Sequence, residues 1–83
     1  MDVKVNSVNF TADQKLVRFV NEKVNKLTLF FDNIIVGEVF LKVDHDQERI
    51  NKVAEVKLLI PGKELFAKKQ CKSFEEATDL AVE

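Results

Sequence analysis

The sequence predicts an α+β domain with the element order β-α-β-β-β-α, in which two helices pack on one face of a four-stranded mixed sheet. Segments with apolar residues at every second position, typical of strands, occur beside two segments with the helical period. The 83 residues suffice for one small domain only. Hydrophobic residues make up 46% of the chain and include seven Phe, which excludes intrinsic disorder and supplies a compact core.

The first strand and first helix follow each other directly. Residues 3–8 alternate as a strand, and residues 13–31 then carry apolar residues at helical spacing. We expect Thr11 to cap this helix, with Gln14 as its capping-box partner and Asp13 at the positive end of the helix dipole. The predicted core stripe consists of Leu16, Val17, Val20, Val24, Leu27 and Phe31.

Three further strands are predicted at residues 34–43, 52–60 and 64–71. The polar residues 44–49 predict a solvated, mobile loop, whereas Pro61 and Gly62 predict a tight turn. These strands should form a meander, and strand one should pair in parallel with strand two through a right-handed crossover. The face left open should carry Glu38, Phe40, Lys42, Glu55, Lys57, Phe66 and Lys68.

A capping box at residues 73–76 opens the second helix, because the Ser73 hydroxyl can accept from the third helical N–H and Glu76 can reach back. Its predicted inward face consists of Phe74, Ala77, Leu80 and Ala81.

The inventory of reactive side chains is too poor for an enzyme, with one His, one Cys and no Tyr. Asp44, His45 and Asp46 resemble a metal-binding triplet, but alternate residues on a mobile loop are better explained as a solvated loop. Neighbouring lysines would make Cys71 more reactive, yet an ordinary strand-end residue is the favoured interpretation. Two glycines, Gly37 and Gly62, cannot form a phosphate-binding loop. We therefore predict no catalytic residue, metal, cofactor or small-molecule substrate.

The sequence also predicts a cytoplasmic protein without a membrane partner. A single cysteine, Cys71, cannot form an internal disulfide, which fits a reducing compartment. No apolar stretch approaches the roughly 20 residues that cross a bilayer, and the first residues lack the features of a signal peptide.

The net charge of −1 conceals local basic character. Residues 49–72 contain seven basic and two acidic side chains, whereas residues 73–83 contain four acidic and no basic ones. One cluster lies on the first helix at Lys15, Arg18, Lys23 and Lys26, beside Phe19 and Phe30 and interrupted by Glu22. This cluster alone is better explained as a solvated helix face. A second cluster, at Lys63, Lys68, Lys69 and Lys72, makes a polyanionic partner as plausible as that explanation.

Several segments in combination resemble the ribosome hibernation promoting factors, a family that includes the ribosome-associated inhibitor and the sigma modulation proteins. They are residues 5–10, 19–27, 31–32, 39–43 and 73–79, in the predicted β-α-β-β-β-α order. The resemblance implies a bacterial cytosolic protein whose fold is like a double-stranded-RNA-binding domain preceded by an extra strand. It implies binding to 16S rRNA of the small ribosomal subunit near the decoding centre, where messenger and transfer RNA would sit. Such proteins silence translation in stationary phase or stress, often in dimers of ribosomes.

Individual positions carry this resemblance as well. Lys23 and Lys26 match basic positions of the family's first helix, and Lys42 matches the one after the apolar run of strand two. Thr78 stands where the family has isoleucine, between Ala77 and Asp79. The resemblance implies that residues 1–83 form a single ribosome-binding domain. Because members usually continue helix two into a run rich in Lys and Arg, we expect this chain either to be cut within that helix or to be a divergent member with weaker affinity.

Together these observations predict an RNA-binding surface of nine cations that converge into one continuous positive ridge. They are Lys15, Arg18, Lys23, Lys26, Lys42, Lys63, Lys68, Lys69 and Lys72. The alternative is a protein-interaction module that uses the open sheet face or the edge of strand four to pair with a partner chain or with a second copy of itself.

Overall fold

The computed structural model describes residues 2–8, 10–31, 33–45 and 49–82. Its elements are β1 (Asp2–Val8), α1 (Gln14–Asn25), a 3₁₀ turn (Lys26–Leu29), β2 (Val36–Val43), β3 (Lys52–Ile60), β4 (Lys63–Cys71) and α2 (Phe74–Ala81). The predicted class and the order β-α-β-β-β-α are confirmed, and each predicted strand agrees with the observed one to within two residues.

The four strands form one mixed sheet in the order β1-β2-β3-β4. β1 runs parallel to β2, with Val5 opposite Val39, and the other two pairs are antiparallel. The predicted meander and parallel pair are therefore correct. β3 and β4 are joined at Pro61 and Gly62, where Gly62 has φ +77°. This left-handed value at the position after proline fits a type II turn and explains why glycine stands there.

Both helices lie on one face of the sheet, as predicted. α1 packs on β1 and on α2, while α2 packs on β3 and β4. The buried core between the sheet and the helices comprises Val20, Val24, Leu27, Val39, Leu41, Ala54, Val56, Leu58, Cys71, Phe74 and Ala77. Near the start of both helices, the Phe10 and Phe74 rings stack at a centroid distance of 5.0 Å.

The first helix differs from its prediction at both ends. Its N-cap is Asp13 rather than Thr11, since the Asp13 carboxylate accepts a hydrogen bond from the Leu16 N–H at 2.8 Å. Asp is among the best N-cap residues, and its position puts Gln14 in the first helical place instead of the third. The α-helix ends at Asn25, and the tighter 3₁₀ turn follows. Phe31, predicted to be core, is 38% exposed because it lies beyond the end of the helix and no longer follows the buried stripe.

The second helix begins as predicted, with the Ser73 hydroxyl accepting from the Glu76 N–H at 3.1 Å. Its inward face was predicted wrongly at one position, because Leu80 is 41% exposed whereas Thr78 is fully buried. At about 100° per residue, Thr78 projects roughly 40° from Phe74, but Leu80 projects about 120° from it. Helical geometry therefore directs the polar Thr78 side chain toward the core and the apolar Leu80 side chain toward solvent.

The predicted loop at residues 44–49 lies partly outside the described residues, which omit 46–48. Its base is held to the sheet. The Asp44 N–H donates to the Asn51 carbonyl at 2.8 Å, and the Gln70 amide donates to the Ile50 carbonyl at 2.7 Å. The predicted mobility stays a prediction.

Candidate nucleic-acid interface

The exposed face of the first helical segment carries three unpaired cations. Lys15 and Arg18 on α1 and Lys26 in the 3₁₀ turn are all exposed. In the described ranges, no carboxylate lies within 4.0 Å of any of the three. Helical geometry separates Arg18 from Lys26 by about 12 Å along the axis and keeps all three cations within roughly 80° of arc. This face can contact several phosphates of one strand, since its charges have no internal partners.

An open groove of about 950 Å³ runs along this helix. Its lining includes Val17, Arg18, Asn21, Glu22, Asn25 and Lys26. Glu22, which interrupts the cations in the sequence, makes no ion pair with Arg18 or Lys26. The groove therefore has two free cations and one free carboxylate along its length.

Two asparagines on the groove flank were missed by sequence reasoning. The Asn21 side-chain amide donates to the Val17 carbonyl at 3.1 Å, and the Asn25 amide donates to the Asn21 carbonyl at 2.8 Å. Both residues are half-buried. The signal that could have found them is their spacing of four residues within a helix, where Asn is a poor helix former and needs a reason to be present.

Lys23, another predicted contact, joins the two helices. Its Nζ lies 3.0 Å from Asp79 Oδ1 and 5.5 Å from the centroid of the Phe19 ring. Both charged side chains are partly exposed, at 32% and 46%. Lys23 is thus already engaged by α2, in contrast to Arg18 and Lys26.

Lys42 and Lys68 lie on the open face of the sheet, opposite to the helices. Strand register confirms the predicted composition of that face, with Glu55 placed directly between Phe40 and Lys68. The Lys42 Nζ lies 2.9 Å from Glu55 Oε2, so its charge is compensated. Lys57 pairs more loosely with Glu64, at 3.6 Å.

The remaining predicted cations lie along β4 and just beyond it. Lys63 begins β4 at the turn, whereas Lys72 follows its last residue. Nine residues of extended chain separate them by about 30 Å. Lys69 pairs in register with Ala54 and is exposed at the sheet edge.

The single continuous ridge predicted from the sequence is not what the fold builds. The sheet separates Lys42 and Lys68 from the helix cations, and β4 holds Lys63 and Lys72 at opposite ends. The strand alternation had already predicted Lys42 and Lys68 on the open face, and that placement is incompatible with a single ridge that also contains the helix cations. The structure brings together Arg18 and Lys26, with Lys15 on the same helix face.

Of the candidates for reactive chemistry, the structure describes Cys71 fully and the triplet of Asp44, His45 and Asp46 only in part. Cys71 is 8% exposed and belongs to the core, which agrees with the favoured structural interpretation. Asp46 of the triplet lies outside the described residues. Within the described chain there is no group of three or more His, Cys, Asp or Glu side chains that could hold a metal ion. The helices described there are also too short or too polar to cross a membrane.

Comparison with known proteins decides the family. The sequence model for "Sigma 54 modulation protein / S30EA ribosomal protein" matches residues 3–83. This chain belongs to that family. The S30EA family is one of ribosome-associated factors, as the resemblance in the sequence predicted.

Solved structures agree with the S30EA fold. A ribosomal subunit interface protein from Coxiella burnetii aligns with a TM-score of 0.85 and 13% identity over 99% of this chain and 86% of the other. The N-terminal domain of Thermus thermophilus Protein Y aligns with a TM-score of 0.83 and 20% identity, over 99% of this chain and 88% of the other. At these identities the likeness shows the fold. A search of curated protein sequences gives no significant match.

Proposed function

We propose that this S30EA family member is a bacterial, cytoplasmic ribosome hibernation factor. It binds 16S rRNA of the small ribosomal subunit near the decoding centre, blocks access of messenger and transfer RNA, and inhibits translation in stationary phase or stress. Family membership supports the ribosome as partner. The observation that carries the RNA contact is the row of exposed, unpaired cations at Lys15, Arg18 and Lys26.

The proposed mechanism is occupancy of the rRNA site, and no covalent bond is made or broken. Lysine and arginine side chains displace counterions from RNA phosphates, and this release supplies sequence-independent affinity. A rigid sheet behind α1 presents the cations as a fixed array, because Val20 and Val24 on the opposite side of the helix are fully buried. Recognition then depends on the shape and phosphates of the rRNA.

A matched pair of variants tests which surface binds. Arg18→Gln with Lys26→Gln removes two charges from the helix face, and Lys42→Gln with Lys68→Gln removes two from the open sheet face. We expect the helix-face variant to lose at least roughly tenfold in co-sedimentation with purified small subunits and to stop inhibiting translation in a bacterial extract. The sheet-face variant should keep both activities. Equal losses in the two variants would contradict the assignment to α1.

The open sheet face supports a second candidate function, association with another copy of this chain. Phe66 is 60% exposed on this face, and Leu59 and Val8 are 38% and 37% exposed. A cluster of exposed apolar side chains on one face marks a candidate protein contact. Sedimentation equilibrium tests it: a dimer that Phe66→Ser dissociates supports this function, and a monomer at every concentration contradicts it.

A further inference from the structure

The orientation of two amide groups in the α1 groove is fixed by their partners. A backbone carbonyl oxygen can only accept a hydrogen bond, so the atoms of Asn21 and Asn25 that contact the Val17 and Asn21 carbonyls are the side-chain nitrogens. The side-chain oxygens must therefore lie at the other end of each amide. Across the described chain, neither oxygen accepts a hydrogen bond from any protein donor.

These free oxygens belong to residues that line the groove together with Arg18 and Lys26. Asn21 and Asn25 are one turn apart, with a rise of about 6 Å, so each can meet a separate donor on a ligand. The groove thus combines hydrogen-bond acceptors with cations along one line. A ligand that fits this pattern carries donors and negative charges in alternation.

We propose that this groove binds one RNA strand and distinguishes it from DNA through its ribose 2′-hydroxyl groups. Arg18 and Lys26 contact the phosphates, and the side-chain oxygens of Asn21 and Asn25 accept from the hydroxyls. Phosphate oxygens are acceptors only, so the 2′-hydroxyl is the donor that an RNA backbone offers and a DNA backbone lacks. This inference rests on the proposed function and specifies which ligand chemistry the helix face recognises.

Glu22 makes the groove less attractive to phosphate than its cations alone would. It lies one turn from both Arg18 and Lys26 and is exposed. Its negative charge opposes phosphate binding. The attraction of Arg18 and Lys26 for phosphate is therefore moderated by Glu22, which leaves room for the hydroxyl contacts to decide between RNA and DNA.

The test compares a 12-nucleotide oligouridylate with its 2′-deoxy counterpart by fluorescence anisotropy at low salt, using the whole chain. We expect the RNA to bind about tenfold more tightly, as two neutral hydrogen bonds would provide. Asn21→Ala with Asn25→Ala should bring the two probes to equal affinity, with the affinity for the deoxy probe unchanged. Arg18→Gln with Lys26→Gln should weaken both probes and preserve their ratio. Circular dichroism should show unchanged helix content in every variant.

Equal affinity of the unaltered chain for both probes would overturn this inference and leave the proposed function standing. An RNA preference that survives in the asparagine variant would also overturn it. If the unaltered chain binds neither probe and does not co-sediment with small subunits, the proposed function fails as well.

Discussion

The Nζ of Lys23 lies 3.0 Å from Asp79 Oδ1 and connects α1 to α2. This contact changes the expected role of Lys23, which the family resemblance places among the RNA-contacting residues. A lysine that already has a carboxylate partner gains less from a phosphate, because the partner must be given up or the phosphate must approach a compensated charge. Lys26, three residues later and unpaired, is the stronger contact.

We expect Lys23→Ala to affect stability and RNA binding differently from Lys26→Ala. The Lys23–Asp79 pair is partly exposed, so a double-mutant cycle with Asp79→Ala should give a coupling free energy of only about 0.2 to 1 kcal/mol. Urea unfolding of the four proteins measures it. Lys26→Ala should leave the free energy of unfolding unchanged but weaken binding to small subunits more than Lys23→Ala does. A larger loss of binding to small subunits in Lys23→Ala than in Lys26→Ala would contradict the different roles assigned to the two lysines.

The buried hydroxyl of Thr78 destabilises the protein. Its Oγ1 has no hydrogen-bond partner among the residues that the structure describes, and the side chain is fully buried. Thr78→Val keeps the shape and removes the unsatisfied group, so the free energy of unfolding should rise by roughly 1 kcal/mol or more. Thr28→Val is the matched control, because the exposed Thr28 hydroxyl donates to the Asn25 carbonyl at 2.8 Å. A stabilisation of equal size in the control would show that the buried hydroxyl is not the cause.

Asp13, and not Thr11, caps the first helix. Asp13→Ala should therefore lower the free energy of unfolding by about 1 kcal/mol through loss of the hydrogen bond to the Leu16 N–H. Thr11 lies two residues before Asp13 and is also exposed. Thr11→Ala should change the free energy of unfolding little. Thermal unfolding followed by circular dichroism distinguishes the two, and a larger loss at Thr11 would restore the capping box expected from the sequence.

Local patterns were sufficient to predict the strands, the parallel pair, the turn at Gly62 and the Ser73 cap. The strands, the turn and the cap each depend on residues within a few positions of each other, such as the period-two alternation of β3, whereas the parallel pair follows from the helix that joins β1 to β2. The end of α1 was harder to predict, because the apolar spacing continues to Phe31 although the α-helix stops at Asn25. The apolar stripe of α1 predicts which residues are buried only where the backbone is α-helical.

The site was less predictable than the fold because it depends on long-range placement. Strand alternation placed Lys42 and Lys68 correctly on the open face, but the ion pair of Lys42 with Glu55 depends on the register between β2 and β3, which alternation alone does not give. The pairing of Lys23 with Asp79 joins residues 56 positions apart, which no local spacing reveals. The asparagine flank was visible as Asn21 and Asn25, but only the hydrogen bonds to helix carbonyls show that their oxygens are free.

Binding of rRNA by α1 is tested by the salt dependence of binding to purified small ribosomal subunits. For the unaltered chain, the logarithm of the association constant should fall linearly with the logarithm of salt concentration. Arg18→Gln with Lys26→Gln should reduce the magnitude of this slope by about 1.4 to 1.8, since each lost phosphate contact contributes about 0.7 to 0.9. Lys42→Gln with Lys68→Gln should leave the slope unchanged. A slope unaltered in the helix-face variant, or reduced only in the sheet-face variant, would contradict binding of rRNA by α1.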